Sequence, residues 1–452
     1  MEEVEDLEAA QPALTRKLEP WEERLRERLI LNSRINKSTG EEEYSVRNNS
    51  ANVATVLRYH PKWEGVLSMD TFHERIVTTR TPPWHRFDAP TSTRIGSWAD
   101  DDLSRLGAWF ARTNLANMNA IEPSKDKLMD GIVVAAGGNE RHPVRAYLES
   151  TEWDGVPRVN GLAANYLGGE STSYAQAVGS CFLIGAVARV MDPGCKVDMC
   201  PILEGEQGTR KSSALAVLGG TWYSDSDIAM GSKDGCEVLR GSWIVELPEL
   251  ASLTRANAET AKAFLSKRID KYRPSYARFT IDSPRQTVFV GTTNASTYLS
   301  DASGARRFPP LRTGAVDLGA LKRDRDQIWA EALHRYRAGE EWWFDQEVAK
   351  TSAVEAEARY VFHPWETLIR AYLEKRPNLV QIGVTTDELI IDCGVERGRM
   401  EKKHNLEVSD ILRRLGWGHR QRVSREGTRR WVYKPSKWSW EAGARTGGEA
   451  EE

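Results

Sequence analysis

Apolar residues recur at helical spacing in three stretches of the first half of the chain, DDDLSRLGAWFART, HPVRAYLEST and YAQAVGSCFLIGAVARVM. A period near 3.6 residues is typical of helices that turn one face to a core. We therefore predict a mainly helical region over residues 51–197. Before it, residues 1–17 are acidic and residues 20–36 have the spacing of a short amphipathic helix. Residues 1–50 are accordingly predicted to be an acidic tail and a short helix.

A different pattern begins near residue 198, where short apolar runs alternate with helical ones. MCPILEG, SWIVELPEL and TVFVGTTN have the composition of buried strands, whereas KSSALAVLGG, ANAETAKAFLSKR and DRDQIWAEALHRYRAG have helical spacing. Buried strands that alternate with helices form mostly parallel sheets with helices on both faces. Residues 198–345 are therefore predicted to be an α/β domain.

The pattern changes again in residues 346–440, which we assign to a linker and a small C-terminal domain. ETLIRAYLEK, VTTDELIIDCG and LEVSDILRRLGW predict helices with one short strand, and two further strands flank Arg425-Glu426-Gly427. This order of elements is typical of a winged helix. The last residues, 441–452, are polar and rich in Gly and Glu, and we predict that they are disordered.

Composition excludes some classes of protein. The net charge of −3 and the pI of about 6.3 exclude a simple polycation, so charge has to be judged region by region. The five cysteines are scattered without a C-x-x-C pair, which argues against zinc and suits a reducing cytosol. We find no N-terminal apolar h-region of the kind that signal peptides have, and no apolar run long enough to span a membrane. We expect a cytoplasmic protein without a membrane partner.

The first candidate for chemistry is the loop LEGEQGTRKSS, between a predicted strand and a predicted helix. It resembles the phosphate-binding pattern G-x-x-x-x-G-K-[ST], except that Arg210 stands where the second glycine belongs. Lys211 is expected to reach the phosphates of a nucleotide, and the Ser212 hydroxyl to hold Mg²⁺. An ordinary glycine-rich turn and a degenerate loop stay open as alternatives. The predicted ATP-binding residues are Gly205, Glu206, Gln207, Gly208, Thr209, Arg210, Lys211, Ser212 and Ser213.

Polar residues that follow the next two strands complete a candidate catalytic set. Glu246 and Glu249 end the second strand, where one carboxylate is expected to hold Mg²⁺ and another to polarise the attacking water. Asn294 ends the third strand and is a candidate sensor of the γ-phosphate. Arg306 and Arg307 lie in a later polar loop and suit an arginine finger given to a neighbouring subunit. Surface carboxylates, a helix cap and surface arginines are the simpler explanations.

Two basic segments indicate nucleic acid. Residues 262–285 contain seven Lys or Arg against two Asp, with tyrosine and phenylalanine interleaved. Residues 411–440 contain nine Lys or Arg against Glu426 alone. Basic groups track a phosphate backbone and aromatic rings stack on bases. A solvated hairpin and a protein-contact module remain the alternatives. The predicted DNA-binding residues are Lys271, Arg273, Tyr276 and Arg278 in the first segment and Arg420, Arg422, Arg425, Arg429 and Arg430 in the second.

Four ordered runs, LEGEQGTRKSSALAVLGG, LRGSWIVELPEL, KAFLSKRIDKYRPSYARF and FVGTTNASTYLSDASGARRF, resemble the virulence-associated E family. These are phage and mobile-element proteins with a superfamily 3 helicase-like AAA+ ATPase core, similar to pox-virus-type primase-helicases. The resemblance implies an α/β AAA+-like P-loop core whose loop binds ATP and Mg²⁺. It also implies that the basic hairpin lines a central pore. The N-terminal primase domain of many members is not found here, so a separate primase is an expected partner.

The function predicted from these features is an ATP-hydrolysing, hexameric DNA helicase or translocase of a phage or mobile element. It would act on single-stranded and duplex DNA in a bacterial host cell. Two alternatives remain. One is a DNA-binding scaffold or origin-recognition protein whose ATPase fold is degenerate, with Arg210 as its mark. The other is a nucleotide-switched loader or defence factor that hydrolyses ATP without unwinding.

Overall fold

The computed structural model describes residues 17–84, 95–230, 232–248, 255–274, 279–299, 307–360, 363–425 and 428–435. The chain forms two compact units. The first consists of Met1–Ser296 and Ser303–Glu357, and the second of Thr297–Ala302 and Ala358–Glu452. The predicted disordered tail, residues 441–452, lies outside the described residues.

The first unit begins with two small sheets and five helices. Strands β1 and β2 form an antiparallel hairpin, and a four-stranded sheet has the order β5-β4-β3-β6. A core of apolar side chains that includes Trp63, Trp109 and Phe110 joins the first four helices to these sheets. The elements are α1 (Pro20–Arg28), β1 (Leu31–Ile35), β2 (Glu42–Val46), α2 (Ser50–Tyr59), β3 (Leu67–Asp70), β4 (Arg75–Thr78), β5 (Gly96–Ser97), α3 (Asp100–Arg112), α4 (Lys125–Gly137), β6 (Glu140–Arg141) and α5 (Pro143–Glu149).

These strands correct two predictions. The mainly helical region over 51–197 contains a sheet that was missed, because β3 and β4 are only four residues long and do not alternate clearly. The helix expected over 20–36 ends at Arg28. The buried side chain of Asn52 accepts from the Ile30 N–H and donates to the Ile30 carbonyl, both at 2.8 Å. A contact 22 residues away in sequence thus holds the chain extended where local spacing favoured a helix.

The rest of the first unit is an α/β layer structure built on a parallel sheet. The sheet has the order β13-β7-β12-β9-β8, and each neighbouring pair is parallel. The three predicted strands are confirmed as β7, β9 and β12, and β8 and β13 were missed because they are two and three residues long. The elements are α6 (Ser173–Met191), β7 (Ile202–Glu204), α7 (Lys211–Gly219), β8 (Tyr223–Ser224), α8 (Lys233–Leu239), β9 (Ile244–Leu247), α9 (Arg255–Leu265), β10 (Ile269–Tyr272), β11 (Ile281–Pro284), β12 (Val288–Thr293), β13 (Pro310–Arg312), α10 (Leu318–Arg337) and α11 (Gln346–Glu357).

Helices lie on both faces of this sheet, as the alternating pattern predicted. Helices α6, α7 and α10 share one apolar core with alternate residues of β9 and β12, such as Ile244 and Val290. On the other face, Phe264 of α9 packs against Phe289 of β12 with 5.5 Å between the ring centroids. All residues of β9 and β12 are buried because both faces are covered.

Helix α6 corrects a further prediction. Among the described residues it is the one helix that is long and apolar enough to cross a membrane, although no such run was expected. Its mean hydropathy reaches 1.4 over 18 residues, but 83% of that window is buried inside the protein. Its apolar surface therefore packs in the core of the first unit.

The second unit contains a helical cluster and an antiparallel hairpin. Val384 forms an isolated antiparallel bridge to Tyr433 of the hairpin. Apolar residues such as Ile369, Leu389 and Leu412 form its core. The three predicted helices and the two predicted last strands are present, whereas the short strand predicted near Val384 is only this bridge and the helix Leu379–Ile382 was not predicted. The elements are α12 (Pro364–Glu374), α13 (Leu379–Ile382), α14 (Thr386–Asp392), α15 (Lys402–Arg414), β14 (His419–Arg425) and β15 (Thr428–Lys434).

Trp243 ties the sheet to its helices and offers a test of this packing. It is fully buried, its indole N–H donates to the Ala186 carbonyl at 2.9 Å, and its ring lies 4.2 Å from that of Trp329. We expect Trp243→Ala to lower the free energy of unfolding by about 3–5 kcal/mol, measured by urea denaturation, because it leaves a cavity. Trp343→Ala is the control, since Trp343 is 54% exposed. Equal losses in the two variants would contradict this packing.

Candidate functional site

The loop between β7 and α7 wraps around the side chain of Lys211. This lysine is 7% exposed, and its Nζ donates to the carbonyls of Gly205 and Glu206 at 2.8 and 3.0 Å. Nζ also lies 2.9 Å from Oδ1 of Asn294, which follows β12. Burial lowers the pKa of Lys211, and the carboxylate of Glu246 opposes that shift. The structure thus brings together the predicted loop lysine and the predicted sensor asparagine.

The carboxylate of Glu246 is the centre of a second group of contacts. It is 2% exposed and accepts from the hydroxyls of Ser212 at 2.8 Å and Thr292 at 2.6 Å. The Tyr223 hydroxyl donates to its other oxygen at 2.5 Å. Burial and this carboxylate raise the pKa of Tyr223, so the phenol stays protonated and remains a donor at neutral pH. Ser212 and Glu246, the predicted metal residues, are therefore adjacent.

Parallel strands explain why these residues meet. Lys211 and Ser212 follow β7, Glu246 lies in β9, and Asn294 follows β12, which runs between them. The carboxyl ends of parallel strands meet at one edge of a sheet, which is where ligands bind in open α/β folds. A cleft of about 850 Å³ opens at this edge, lined by residues 204–210, 294–296 and 312–316.

Two residues in this cleft were missed by sequence reasoning. Glu204 ends β7 and is 9% exposed, and Arg312 ends β13 with a side chain 69% exposed. Their side chains pair at 3.3 Å from Nε to Oε1. The sequence did not indicate that Arg312 ends a strand, because β13 was not recognised as a strand. The Thr313 N–H donates to the Glu204 carbonyl at 2.7 Å and seats the strand end against the loop.

Arg210 adopts a left-handed backbone conformation. Its φ of 69° and ψ of 31° lie in the region that favours glycine, at the position where the phosphate-binding pattern has glycine. Arg210 is exposed and lines the cleft. The loop therefore requires a positive φ at this position, and the arginine adopts it with strain of about 1–2 kcal/mol.

Arg307 lies at the opposite edge of the sheet. Its carbonyl accepts from the N–H of Cys200, which precedes β7, at 2.7 Å. Its Nε lies 3.2 Å from the Ser266 hydroxyl and 3.7 Å from an Asp198 oxygen. Arg307 is thus remote from the cleft of its own chain. The predicted residues Glu249 and Arg306 lie outside the described residues.

The first basic segment forms an antiparallel hairpin of β10 and β11. Lys271 and Arg273 are exposed, and Lys271 Nζ pairs with Asp282 at 3.2 Å. Tyr276 and Arg278 lie outside the described residues. Not all of the counted residues face solvent, since Tyr272 is 6% exposed and Arg285 is buried.

Arg285 and Asp270 form an internal ion pair at the base of this hairpin. Arg285 is 2% exposed and donates to both oxygens of Asp270, at 2.6 and 2.8 Å. A buried bidentate pair of this kind orients the strands and adds nothing to the surface charge. The basic surface of the segment is therefore smaller than its composition indicated.

The second basic segment is the hairpin of β14 and β15. Arg420, Arg422, Arg429 and Arg430 are exposed there. The strand position of Arg425 is described, but its side chain lies outside the described residues. The predicted arginines thus occur together on one hairpin of the second unit.

Comparisons with known proteins identify one domain. A comparison with curated proteins finds no match. Among solved structures, an apo structure of the NrS-1 C-terminal region is similar over 82% of this chain and 96% of that chain, with 12% identity and a TM-score of 0.43. Two A-form apo structures of the same region have 11% identity. The first of these is similar over 82% of this chain and 96% of that chain, with a TM-score of 0.40. The second is similar over 64% of this chain and 78% of that chain, with a TM-score of 0.35.

No residue role in this chain is inferred from its similarity to these structures. The family model of the virulence-associated protein E-like domain matches residues 148–361, which include the loop, β9, β12 and β13. The chain therefore carries a virulence-associated protein E-like domain over residues 148–361.

Proposed function

We propose that this chain is an ATP-hydrolysing, ring-forming DNA helicase or translocase that acts in the DNA replication of a phage or mobile element. The observation that supports it most is the convergence of Lys211, Ser212, Glu246 and Asn294 within hydrogen-bonding distance along one sheet edge. Lysine, hydroxyl, carboxylate and amide are the groups that hold and sense a nucleoside triphosphate in P-loop enzymes. In this proposal residues 198–345 form the AAA+-like P-loop core.

The residues of the cleft suit ATP with Mg²⁺. Lys211 would exchange its bonds to loop carbonyls for bonds to phosphate oxygens, and the N–H groups at the start of α7 would face the same anion. Ser212 and Glu246 offer the hard oxygen ligands that Mg²⁺ prefers. Bound Mg²⁺ would neutralise charge on the phosphates. Asn294 would read the γ-phosphate through its Nδ2 group, which can donate to a phosphate oxygen, whereas its Oδ1 accepts from Lys211.

The position of Arg307 supports a shared active site. Since it lies at the amino ends of the strands, it is far from the cleft of its own chain. To serve a neighbour in a ring, its guanidinium would exchange its contacts with Ser266 and Asp198 for the neighbour's phosphate. A homohexamer with Arg306 and Arg307 as fingers follows from this proposal. The β10–β11 hairpin would contact single-stranded DNA in the pore, and the second unit, as a winged helix, would bind duplex DNA. The proposed setting is the bacterial cytoplasm, with a separate primase as partner.

One observation favours a second candidate, a DNA-binding scaffold with a degenerate ATPase fold. The strained left-handed Arg210 stands where working phosphate loops have glycine. Its side chain lines the cleft and brings either a further phosphate contact or an obstacle to the nucleotide. Hydrolysis separates the two candidates, because the scaffold would bind DNA without turnover.

Lys211→Ala is the direct test of the proposed function. We expect the wild type to hydrolyse ATP with Mg²⁺ and single-stranded DNA to stimulate it, and we expect the variant to lose at least about 100-fold in turnover. Steady-state phosphate release measures both. Lys322→Ala, an exposed lysine on α10, is the control and should keep full activity. Full turnover by Lys211→Ala would refute the loop assignment.

Mixing two inactive variants tests the shared site. We expect Arg307→Ala chains to be inactive alone and to regain hydrolysis when mixed with Lys211→Ala chains, because some interfaces then combine an intact loop with an intact arginine. Phosphate release after subunit exchange is the measurement. Arg323→Ala, whose side chain is 70% exposed on α10, should stay active by itself. Absence of rescue at all mixing ratios would remove Arg307 as the finger.

The strain at Arg210 predicts a difference between two substitutions there. Both Arg210→Gly and Arg210→Ala remove the side chain, but only glycine adopts the positive φ freely. We expect the Arg210→Gly variant to be more stable than the Arg210→Ala variant by about 1 kcal/mol in the free energy of unfolding. This is the net difference, because glycine relieves the backbone strain but also raises the entropy of the unfolded chain. Urea denaturation measures it. Equal stabilities would show that the backbone at this position is not constrained.

A further inference from the structure

The basic charge of the second unit is concentrated on its hairpin and not on helix α15. On the helix, Arg413 pairs with Asp410 at 2.9 Å and Arg414 pairs with the buried Glu366 at 3.1 Å. Lys403 pairs with Glu401 at 3.1 Å. By contrast, β14 and β15 contain five arginines and no Asp or Glu. The hairpin is therefore the stronger site for a polyanion.

The register of the hairpin gathers an aromatic ring and three arginines on one face. Residues directly opposite in an antiparallel pair share a face, and the pairs here are Arg420 with Tyr433, Arg422 with Trp431 and Ser424 with Arg429. We call this set, Arg420, Arg422, Arg429 and Trp431, the hairpin face.

Tyr433 anchors the inner end of this face. It is 8% exposed, and its hydroxyl donates to the Ser409 hydroxyl of α15 at 2.9 Å. Trp431 lies two residues nearer the turn and is 49% exposed. The Arg420 guanidinium sits over its ring at 4.6 Å from the centroid. The indole is thus held in place by its strand and by a stacked cation, while about half of it stays open to solvent.

We propose that the hairpin face binds single-stranded nucleic acid, with an unpaired base stacked on Trp431 and neighbouring phosphates on Arg422 and Arg429. A large exposed ring among unpaired cations has the two components that such strands need, a stacking surface and a basic track. A duplex presents its phosphates but keeps its base faces inside the stack. It would therefore contact the arginines, but no base could stack on the indole. The proposal extends the duplex contact proposed for this unit and is independent of ATP hydrolysis.

The experiment compares two oligonucleotides of equal charge on the full chain without nucleotide. One is fluorescein-labelled (dT)₂₀ and the other is an abasic strand of the same length. We expect the wild type to prefer (dT)₂₀ in fluorescence anisotropy. Trp431→Ala should weaken (dT)₂₀ binding about 5- to 150-fold and leave the abasic strand within about twofold, since stacking contributes about 1–3 kcal/mol per base.

Conservative and matched variants separate stacking from structural damage. Trp431→Phe keeps an aromatic face and should restore most of the preference, whereas Trp343→Ala removes an exposed indole of the first unit and should change nothing. The comparison is repeated in a Lys271→Ala, Arg273→Ala background, so that binding by the β10–β11 hairpin does not conceal the effect. Basal hydrolysis without DNA is measured on each variant, so a failure here is distinct from a failure of the proposed ATPase.

Four outcomes would overturn the proposal. One is unchanged (dT)₂₀ binding by Trp431→Ala in both backgrounds. Another is an equal loss on the abasic strand, which would make Trp431 a structural residue. The third is an equal loss on a 20-base-pair duplex, which would assign the face to double-stranded DNA. The absence of any (dT)₂₀ binding by the wild type would contradict it as well.

Discussion

The candidate site depends on the hydrogen bonds that three hydroxyls donate to the buried carboxylate of Glu246. A charge that is 2% exposed is stable only when hydrogen bonds replace its water, and three hydroxyls do so here. They come from different elements: Ser212 from α7, Thr292 from β12 and Tyr223 from β8. The carboxylate therefore fixes the distance between the loop helix and the central strands. The same geometry sets Ser212 and Asn294 beside Lys211.

Charge around the cleft is balanced in pairs. Lys211 is held by loop carbonyls and by Asn294, and Glu204 is held by Arg312. An acidic residue at the end of β7 would repel a triphosphate, and the adjacent guanidinium offsets that repulsion. The strained backbone of Arg210 adds a cation at the mouth of the same cleft. Lys211, Arg210 and Arg312 are the cations that the proposed anionic ligand would contact.

The two basic hairpins differ in how their arginines are used. In the first unit, Arg285 turns inward and its pair with Asp270 holds the base of the hairpin. In the second unit, the hairpin is anchored by buried residues such as Val432 and Tyr433. The exposed arginines of the hairpin are Arg420, Arg422, Arg429 and Arg430. Composition alone counts these arginines equally. Only burial distinguishes a structural arginine from one that is available to a phosphate.

Local patterns in the sequence determined much of this protein. They predicted β7, β9, β12 and the helices beside them, because each carries its own periodicity, and they placed Lys211, Ser212, Glu246 and Asn294 at strand ends. They failed where structure depends on distant contacts. The chain after Arg28 is extended because of Asn52, and β8 and β13 are too short to have a pattern of their own. The pairing of Glu204 with Arg312, the positive φ of Arg210 and the inward turn of Arg285 were decided by the tertiary structure, since each depends on which strands become neighbours in the sheet.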